Sequence, residues 1–262
     1  DRSVSRGLGD VYKRQLLESL NEVVTKADNT VNLCVLLSKM KENASGLYTH
    51  SVNVALWGQI LAGWMGYRED MIEKVAITGI LHDIGILKFT QNELDDFSFH
   101  KELEMGAFSK HSMYGYELVK NKDLDQSIKQ AVLTHHEHAD GSGFPLGVDN
   151  KSLNPIQRVI EIADVYDTLL MREPGFKRMS PFEVLIHLNE VEGNKYDPSA
   201  LLIFTSRLAQ TFIQCRVRLN NGQEGKIVLF NKYSILRPLI QVGSGFVDLA
   251  LRKDLNIVEL LD

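Results

Sequence analysis

The chain has 262 residues, of which 44% are apolar, enough for one substantial core and a small additional domain. Its formal net charge of −5 argues against a protein that coats nucleic acid polymers. Its two cysteines, Cys34 and Cys215, match no zinc or redox spacing, so we expect a reducing, cytoplasmic location. The most apolar segment, Val52 to Tyr67, is shorter than a membrane helix and indicates a buried helix, so we expect no membrane segment in this fragment.

The first fifteen residues differ from the rest of the chain. Residues 1–15 show no helical or strand periodicity, and Val4 to Gln15 resembles the translation of sequencing-adapter read-through. We expect this segment to be an artefact or a disordered tail, with the native N-terminus and any upstream sensory domain missing.

From Leu16 to about Thr211, apolar residues recur at three- and four-residue spacing, which predicts a series of helices. Gly66 is placed to end one of them. Ser180-Pro181-Phe182-Glu183 indicates a helix start, with a Ser cap, Pro in the first turn and Glu three residues later. The predicted helical segments are residues 16–24, 31–40, 50–65, 71–87, 111–120, 124–136, 155–171 and 181–191. The pattern predicts a mainly α fold, with a helical domain at residues 16–213.

The last fifty residues contain short runs typical of β-strands, separated by glycine-rich turns. The predicted strands are Arg216 to Leu219, Gly225 to Phe230, Leu239 to Val242 and Val247 to Leu251. Asn220-Asn221-Gly222 indicates a hairpin between the first two strands. Residues 214–262 therefore form a small β-rich appendage, interpreted as a structural cap in preference to a lid or a docking module.

A set of histidines and aspartates carries the chemistry of the chain. Its members are His50, His82, Asp83, His111, His135, His136 and Asp164. Several of them adjoin apolar helical runs, where an ionisable group needs a partner or a metal to offset the loss of hydration. Five nitrogen ligands and two carboxylates suit Fe(II) or Mn(II). Two such ions about 3.5–4 Å apart can share a hydroxide and bind the oxygens of a phosphate ester, so we expect two divalent metal ions.

A glycine-rich loop follows the His135-His136 pair. The segment Gly141 to Pro145 forces a tight turn beside these histidines. Such a turn is either an ordinary end of a helix or a place where backbone amides approach an anionic ligand. Its attachment to the two histidines favours the anion site.

The order of these motifs resembles that of the HD-GYP phosphodiesterases over roughly residues 28–213. The matching segments are Tyr48 to Ala55, Leu81 to Gly85, His111 with Gly115, His135 to Pro145, Ile162 to Asp167, Ser180-Pro181 and Tyr196 to Pro198. This ordered pattern is far more specific than a single His-Asp pair. The resemblance implies an HD-type helical bundle that carries the β appendage at its C-terminal end.

The resemblance also implies hydrolysis of cyclic di-GMP to the linear dinucleotide pGpG and, in some members, on to GMP. It implies that the seven residues above are metal ligands, that Asp83 bridges the ions, and that Asp83 and His82 are catalytic. Asp140, Gly143 and Lys177 are the expected substrate contacts. A GGDEF-type protein partner and a homodimer are further expectations.

The chain departs from the family pattern at four places. They are Ile86 instead of Lys, Phe144 instead of Tyr, Glu173-Pro174-Gly175 instead of Arg-Pro-Tyr, and Gly46 instead of a Glu that some members use for a third metal. Lys88 lies two residues after Ile86, which turns it by about 200° on an α-helix. Phe144 keeps the aromatic ring and loses one hydrogen bond. Glu173 facing a phosphate would repel it.

Three functions fit these residues. A metal-dependent phosphodiesterase is favoured, because a protein without turnover has no obvious reason to keep a costly buried metal site. The alternative from another class is a non-catalytic cyclic-dinucleotide sensor, or a scaffold for a GGDEF-type partner, supported by Ile86, Phe144, Glu173 and Gly175. The third possibility keeps the phosphohydrolase and changes its substrate to another cyclic nucleotide.

Overall fold

The structure is a computed structural model that describes residues 47–89, 109–149, 151–171, 179–231 and 233–261. Within these ranges, helices are followed by a small antiparallel sheet, so the predicted mainly α fold with a β appendage is confirmed. The proposed tail at residues 1–15, the predicted helices 16–24 and 31–40, Gly46, Glu173, Gly175 and Lys177 lie outside the described residues.

Seven α-helices are present in the described ranges. They are α1 Leu47–Trp64, α2 Glu69–Leu81, α3 Lys110–Val119, α4 Gln126–Thr134, α5 Pro155–Met171, α6 Pro181–Ile186 and α7 Pro198–Thr211. A 3-10 helix, Ile84–Lys88, follows α2, and a π-helical segment, His187–Val191, follows α6. The predicted start of α6 is confirmed, since Ser180 and Glu183 form a reciprocal capping box. None of the helices described is both long and apolar enough to cross a bilayer.

Close helix packing brings the C-terminal part of α2 against the middle of α1. A Cβ built on Gly79 of α2 would lie 2.5 Å from the Cα of Ala55 in α1, so only glycine permits this approach. Nearby, Trp57 of α1 contacts Tyr166 of α5 with ring centroids 4.9 Å apart, and Tyr166 contacts Phe204 of α7 at 5.0 Å. These contacts make α1 and α5 the buried centre of the fold.

The predicted helix at residues 71–87 is wrong in its second half, because α2 ends at Leu81. The physical reason is the approach of Gly85 to α3. A Cβ on Gly85 would lie 1.9 Å from the His111 carbonyl oxygen and 2.5 Å from the Gly115 nitrogen. The chain therefore leaves the α-helical path after Leu81 and continues as a 3-10 helix, which places His82 and Asp83 in the turn between two helices.

The C-terminal sheet is antiparallel, with strand order β4-β3-β2-β1-β5. Its strands are β1 Arg216–Leu219, β2 Glu224–Asn231, β3 Ser234–Val242, β4 Gly245–Asp248 and β5 Ile257–Leu260. The predicted hairpin at Asn220-Asn221-Gly222 connects β1 to β2, with Gly222 at φ 84°. Phe182 of α6 contacts Phe230 of β2 at 6.4 Å, so the sheet packs against the helical core.

Three details of the sheet differ from the prediction. β3 begins at Ser234 and not at Leu239, β4 ends at Asp248 and not at Leu251, and β5 was not predicted. Pro238 concealed the first half of β3, because proline is unusual inside a strand. The guanidinium of Arg237 donates to the carbonyl oxygens of Leu249, Arg252 and Leu255, which holds the segment after β4 in turns.

The contact between Gly85 and α3 makes Gly85→Ala a test of the fold. The added methyl group has no space beside the His111 carbonyl, so we expect a loss of about 3 kcal/mol in the free energy of unfolding. Denaturant unfolding of the purified protein measures this quantity. The matched control is Gly63→Ala, which lies in α1, is exposed and has no neighbour within 4 Å of the added Cβ. The control should be neutral or slightly stabilising, and an equal effect of the two changes would contradict this packing argument.

Candidate metal centre

The seven predicted ligand residues converge from five helices. His50 lies in α1, His82 and Asp83 directly follow α2, His111 lies in α3, His135 and His136 directly follow α4, and Asp164 lies in α5. His136 is half-buried, and the other six are at most 2% exposed. The structure thus brings together, largely out of contact with bulk water, residues that are up to 114 positions apart in the sequence.

The first donor group consists of His50, His82, Asp83 and Asp164. His50 Nε2 lies 3.0 Å from Asp164 Oδ1 and 3.9 Å from Asp83 Oδ2. His82 Nε2 lies 3.4 Å from Asp83 Oδ2 and 3.9 Å from Asp164 Oδ1. Two imidazole nitrogens and two carboxylate oxygens therefore face one small volume, a donor set that suits a divalent first-row cation.

The second donor group consists of Asp83, His111, His135 and His136. His111 Nε2 lies 3.3 Å from Asp83 Oδ1, 3.0 Å from His135 Nε2 and 3.1 Å from His136 Nε2. His135 Nε2 lies 3.7 Å from Asp83 Oδ1. Three histidine nitrogens converge on one carboxylate oxygen, which is the arrangement that nitrogen-rich metal sites use.

Asp83 belongs to both groups through different oxygens. Oδ2 faces the first donor group and Oδ1 faces the second, so the two groups are one carboxylate apart. Both Asp83 oxygens and His82 Nε2 are buried and have no hydrogen-bond partner among the described residues. Buried polar atoms without partners are costly unless a cation satisfies them. The donors therefore fit metal ions, and Asp83 has the geometry of a bridging ligand.

Backbone carbonyls fix the orientation of two of the histidines. His82 Nδ1 lies 2.8 Å from the Gly79 carbonyl oxygen, and His135 Nδ1 lies 2.9 Å from that of Val132. Because only a protonated Nδ1 can donate to a carbonyl, both rings present an unprotonated Nε2 to the site when they are neutral. The turns that follow α2 and α4 thus select the tautomer that a metal requires.

Protonation preferences in the centre favour bound cations. Burial opposes ionisation of Asp83, but its histidine neighbours, His82 foremost, hold the pKa of its carboxyl well below the usual range. Burial likewise opposes ionisation of Asp164, and the hydrogen bond to His50 lowers its pKa. Burial lowers the pKa of His82 and of His136. Ionised carboxyls at Asp83 and Asp164 and neutral imidazoles at His82 and His136 are therefore favoured, which are the protonation states of metal ligands.

Asp167 lies at the end of the Ile162 to Asp167 motif, and the sequence predicted no role for it. Its Oδ2 lies 2.7 Å from His50 Nδ1. Burial opposes protonation of His50, but its bonds to Asp164 and Asp167 raise its pKa well above the ordinary value, while burial raises the pKa of Asp167. The hydrogen bond to Asp167 therefore fixes the His50 ring with its Nε2 towards Asp164. This carboxylate orients His50 in the way that outer carboxylates orient metal-binding histidines.

The glycine-rich loop is held by Glu137, a completely buried carboxylate. Its Oε1 accepts from the backbone amides of Leu146 and Gly147, and its Oε2 accepts from that of Val148 at 2.9 Å. Three amide donors to one carboxylate form a strong, directional clamp. The loop is therefore anchored to the residue that follows the two histidines.

Within this loop, Gly143 and Phe144 contact the histidine pair directly. A Cβ on Gly143 would lie 2.3 Å from the His136 carbonyl oxygen, so the backbone passes too close for any side chain. The Phe144 ring stacks on His136, with centroids 4.7 Å apart and an interplanar angle of 29°. The stack requires only the ring, so phenylalanine fulfils it without the hydroxyl of tyrosine.

Other predicted residues lie away from the donor atoms. Asp140 is exposed, and its Oδ1 accepts from the amide and the hydroxyl of Ser142 within the loop. Ile86 is buried in the 3-10 helix at 4% exposure. Lys88, turned by about 240° from Ile86 at three residues per turn, is exposed and lies over the Tyr114 ring at 5.7 Å. Lys177 lies outside the described residues.

Residues 34–200, more than half of the chain, match the HD domain family, so the chain belongs to that family. Among solved structures, an HDG"Y"P protein from Bdellovibrio bacteriovorus has the same fold, with a TM-score of 0.53 at 19% identity over 74% of this chain and 69% of that one. The expected relationship to HD-GYP proteins is confirmed.

Two curated relatives illustrate the range of named activities. A cyclic di-GMP phosphodiesterase of Pseudomonas aeruginosa is 23% identical over 243 residues, which cover 92% of this chain and 58% of that protein. A 3'3'-cGAMP-specific phosphodiesterase of Vibrio cholerae is 27% identical over 195 residues, which cover 72% of this chain and 44% of that protein. The chain spans about half the length of the curated relatives it matches.

The bond between Asp167 and His50 predicts a graded loss of metal affinity. Asp167→Asn keeps an acceptor but removes its charge, and we expect Mn(II) to bind about tenfold more weakly. Asp167→Ala removes the acceptor, and we expect up to about a hundredfold loss. Calorimetric titration of metal-free protein with Mn(II) measures both. Asp123→Asn, the same change at an exposed position, is the control; equal affinities in all four proteins would refute a role for Asp167 in orienting His50.

Proposed function

We propose that the protein is a metal-dependent phosphodiesterase that hydrolyses cyclic di-GMP to pGpG, to GMP, or to both. The observation that carries this proposal is the Asp83 carboxylate, whose two oxygens face two separate nitrogen-rich donor groups. The membership of the HD domain family and the named activity of the Pseudomonas aeruginosa relative support the reaction class and the substrate.

The proposed cofactors are two divalent metal ions, Fe(II) or Mn(II). Their proposed ligands are the members of the two donor groups: His50, His82, Asp83, His111, His135, His136 and Asp164. When bound, the ions would supply an activated water and positive charge for the phosphoryl oxygens. Nitrogen-rich donors support Fe(II) or Mn(II) over Mg(II), which prefers oxygen ligands.

The chain's own residues contribute position and a dry environment. Asp83 holds the two donor groups at a fixed separation, and with His82 it is the proposed catalytic pair. Burial of the ligands strengthens each electrostatic contact with a developing phosphate charge. Gly143 and the exposed Asp140 lie in the loop beside His136, and we propose that they contact the substrate together with Lys177.

Two alternatives are supported by specific observations. The 3'3'-cGAMP-specific relative and the buried, uncharged Ile86 favour another cyclic dinucleotide as substrate. The same Ile86 supports a non-catalytic cyclic-dinucleotide sensor, or a scaffold for a GGDEF-type partner. With each of these functions, we propose a cytoplasmic protein that can form a homodimer. Metal content without turnover would distinguish this second class from the enzymes.

Product chromatography after anaerobic incubation tests the proposal. The chain is reconstituted separately with Fe(II) and with Mn(II), its metal content is measured, and cyclic di-GMP or 3'3'-cGAMP is added. We expect pGpG or GMP from cyclic di-GMP. Asp83→Ala should reduce the rate to below about one hundredth, because it removes the ligand shared by both donor groups.

The matched control is Asp123→Ala, which makes the same change at an exposed position and should keep the wild-type rate. If the protein cleaves 3'3'-cGAMP and not cyclic di-GMP, the proposed substrate is wrong, whereas the proposed reaction class is confirmed. If protein that carries two ions per chain forms no product from either dinucleotide, the phosphodiesterase proposal fails.

A further inference from the structure

A chain of hydrogen bonds connects α5 to the segment that follows the histidine pair. Gln157 Nε2 donates to the Glu137 carbonyl oxygen at 2.7 Å and to Glu161 Oε2 at 3.3 Å. Glu161 Oε1 shares a hydrogen bond of 2.6 Å with His138 Nδ1. Two side chains of one helix thus hold two consecutive residues directly after His135 and His136.

The pair formed by Glu161 and His138 has no use in the metal chemistry described above. Glu161 lies within the apolar run Val159 to Ala163 and is 2% exposed. Its carboxyl group is held away from bulk water by hydrogen bonds to His138 and Gln157. An apolar side chain at position 161 would avoid the cost of burying a carboxyl group.

The position of the pair relates it to both donor groups. Glu161 precedes Asp164 by three residues, so the two side chains lie on the same face of α5. His138 follows His136 by two residues, and Glu137 between them anchors the loop that stacks Phe144 on His136. The hydrogen bonds therefore connect the helix that carries Asp164 of the first donor group to the backbone that carries two histidines of the second.

We propose that Glu161 and His138 are positioning residues that set the place of the second donor group relative to Asp164, and thereby control occupancy of the second metal position. The expected effect on turnover rests on the proposed phosphodiesterase function. The expected effect on metal binding does not depend on that function.

Four substitutions test the inference in the full chain. Glu161→Leu and His138→Leu remove the hydrogen bond and keep similar bulk. Glu161→Gln and His138→Asn each introduce an amide group, which can donate and accept a hydrogen bond between positions 161 and 138. Mn(II) bound per chain and the affinity of each ion are measured by anaerobic calorimetry and elemental analysis. We expect the two leucine variants to bind the weaker ion at least about tenfold less tightly, and the two amide variants to recover affinity to within about threefold of wild type.

Two comparisons distinguish a loss of positioning from a general loss of stability. One is the recovery of Mn(II) affinity in the amide variants, and the other is a control substitution. Glu73→Leu makes the same change at an exposed position of α2 and should leave both Mn(II) affinities unchanged. If Glu161→Leu does not fold, the two His138 variants decide, since the His138 side chain is 19% exposed and tolerates replacement more readily. Wild-type affinity for both ions in the leucine variants, or equal losses in leucine and amide variants, would overturn the proposal.

Kinetics distinguish this inference from the proposed function. If cyclic di-GMP is hydrolysed, the leucine variants should lose kcat about tenfold or more at saturating Mn(II) with KM little changed, because the proposed role of the pair is to position metal ligands. If wild type binds two ions without turnover and the leucine variants lose the weaker one, the phosphodiesterase proposal fails and the positioning role stands. Binding of a single ion by wild type would overturn the positioning role.

Discussion

The structure depends on one buried carboxylate, that of Asp83. A charged group at 2% exposure is costly, and neither of its oxygens has a hydrogen-bond partner among the described residues. Its position follows from backbone packing, because α2 must end where Gly85 approaches the His111 carbonyl. The same approach that interrupts the helix also brings His111 to the second oxygen of Asp83 at 3.3 Å. The packing of Gly85 against His111 therefore determines both the end of α2 and the assembly of the candidate metal centre.

Charge balance gives the centre its selectivity for cations. The low pKa values of Asp83 and Asp164 keep their carboxyls ionised, while burial keeps His82 and His136 neutral. Around His50, burial opposes protonation, but the bonds to Asp164 and Asp167 raise the pKa of the imidazole, while burial raises the pKa of Asp167. A metal ion held by His50 would require an unprotonated Nε2, with Asp167 as the acceptor for Nδ1. Metal binding at this histidine would therefore release a proton.

The convergence of the candidate ligands could be predicted from the sequence, because each of these residues adjoins a motif with a recognisable order. The contacts of the residues around these ligands could not be predicted from the sequence, because their partners are remote in the chain. Glu161 pairs with His138 across 23 positions, and Asp167 pairs with His50 across 117. The position of Glu161 inside an apolar run indicated that its carboxyl group needs a partner, but the run does not predict which residue that partner is. The end of α2 could not be predicted either. Apolar periodicity continues through Ile86, whereas the approach of Gly85 to α3 changes the backbone to a 3-10 helix.

Two departures from the HD-GYP pattern, Phe144 and Ile86, leave the two donor groups intact. Phe144 retains its stack on His136, because Glu137 and the close passage of Gly143 hold the loop without a hydroxyl group. Ile86 is buried and offers no charge to a phosphate, while Lys88 is placed over Tyr114. In the proposed phosphodiesterase, these positions would leave ions held by the two donor groups to supply positive charge to the phosphodiester. A substrate bound mainly through such ions would be recognised by its phosphates, so discrimination between one cyclic dinucleotide and another would fall to residues that contact the bases.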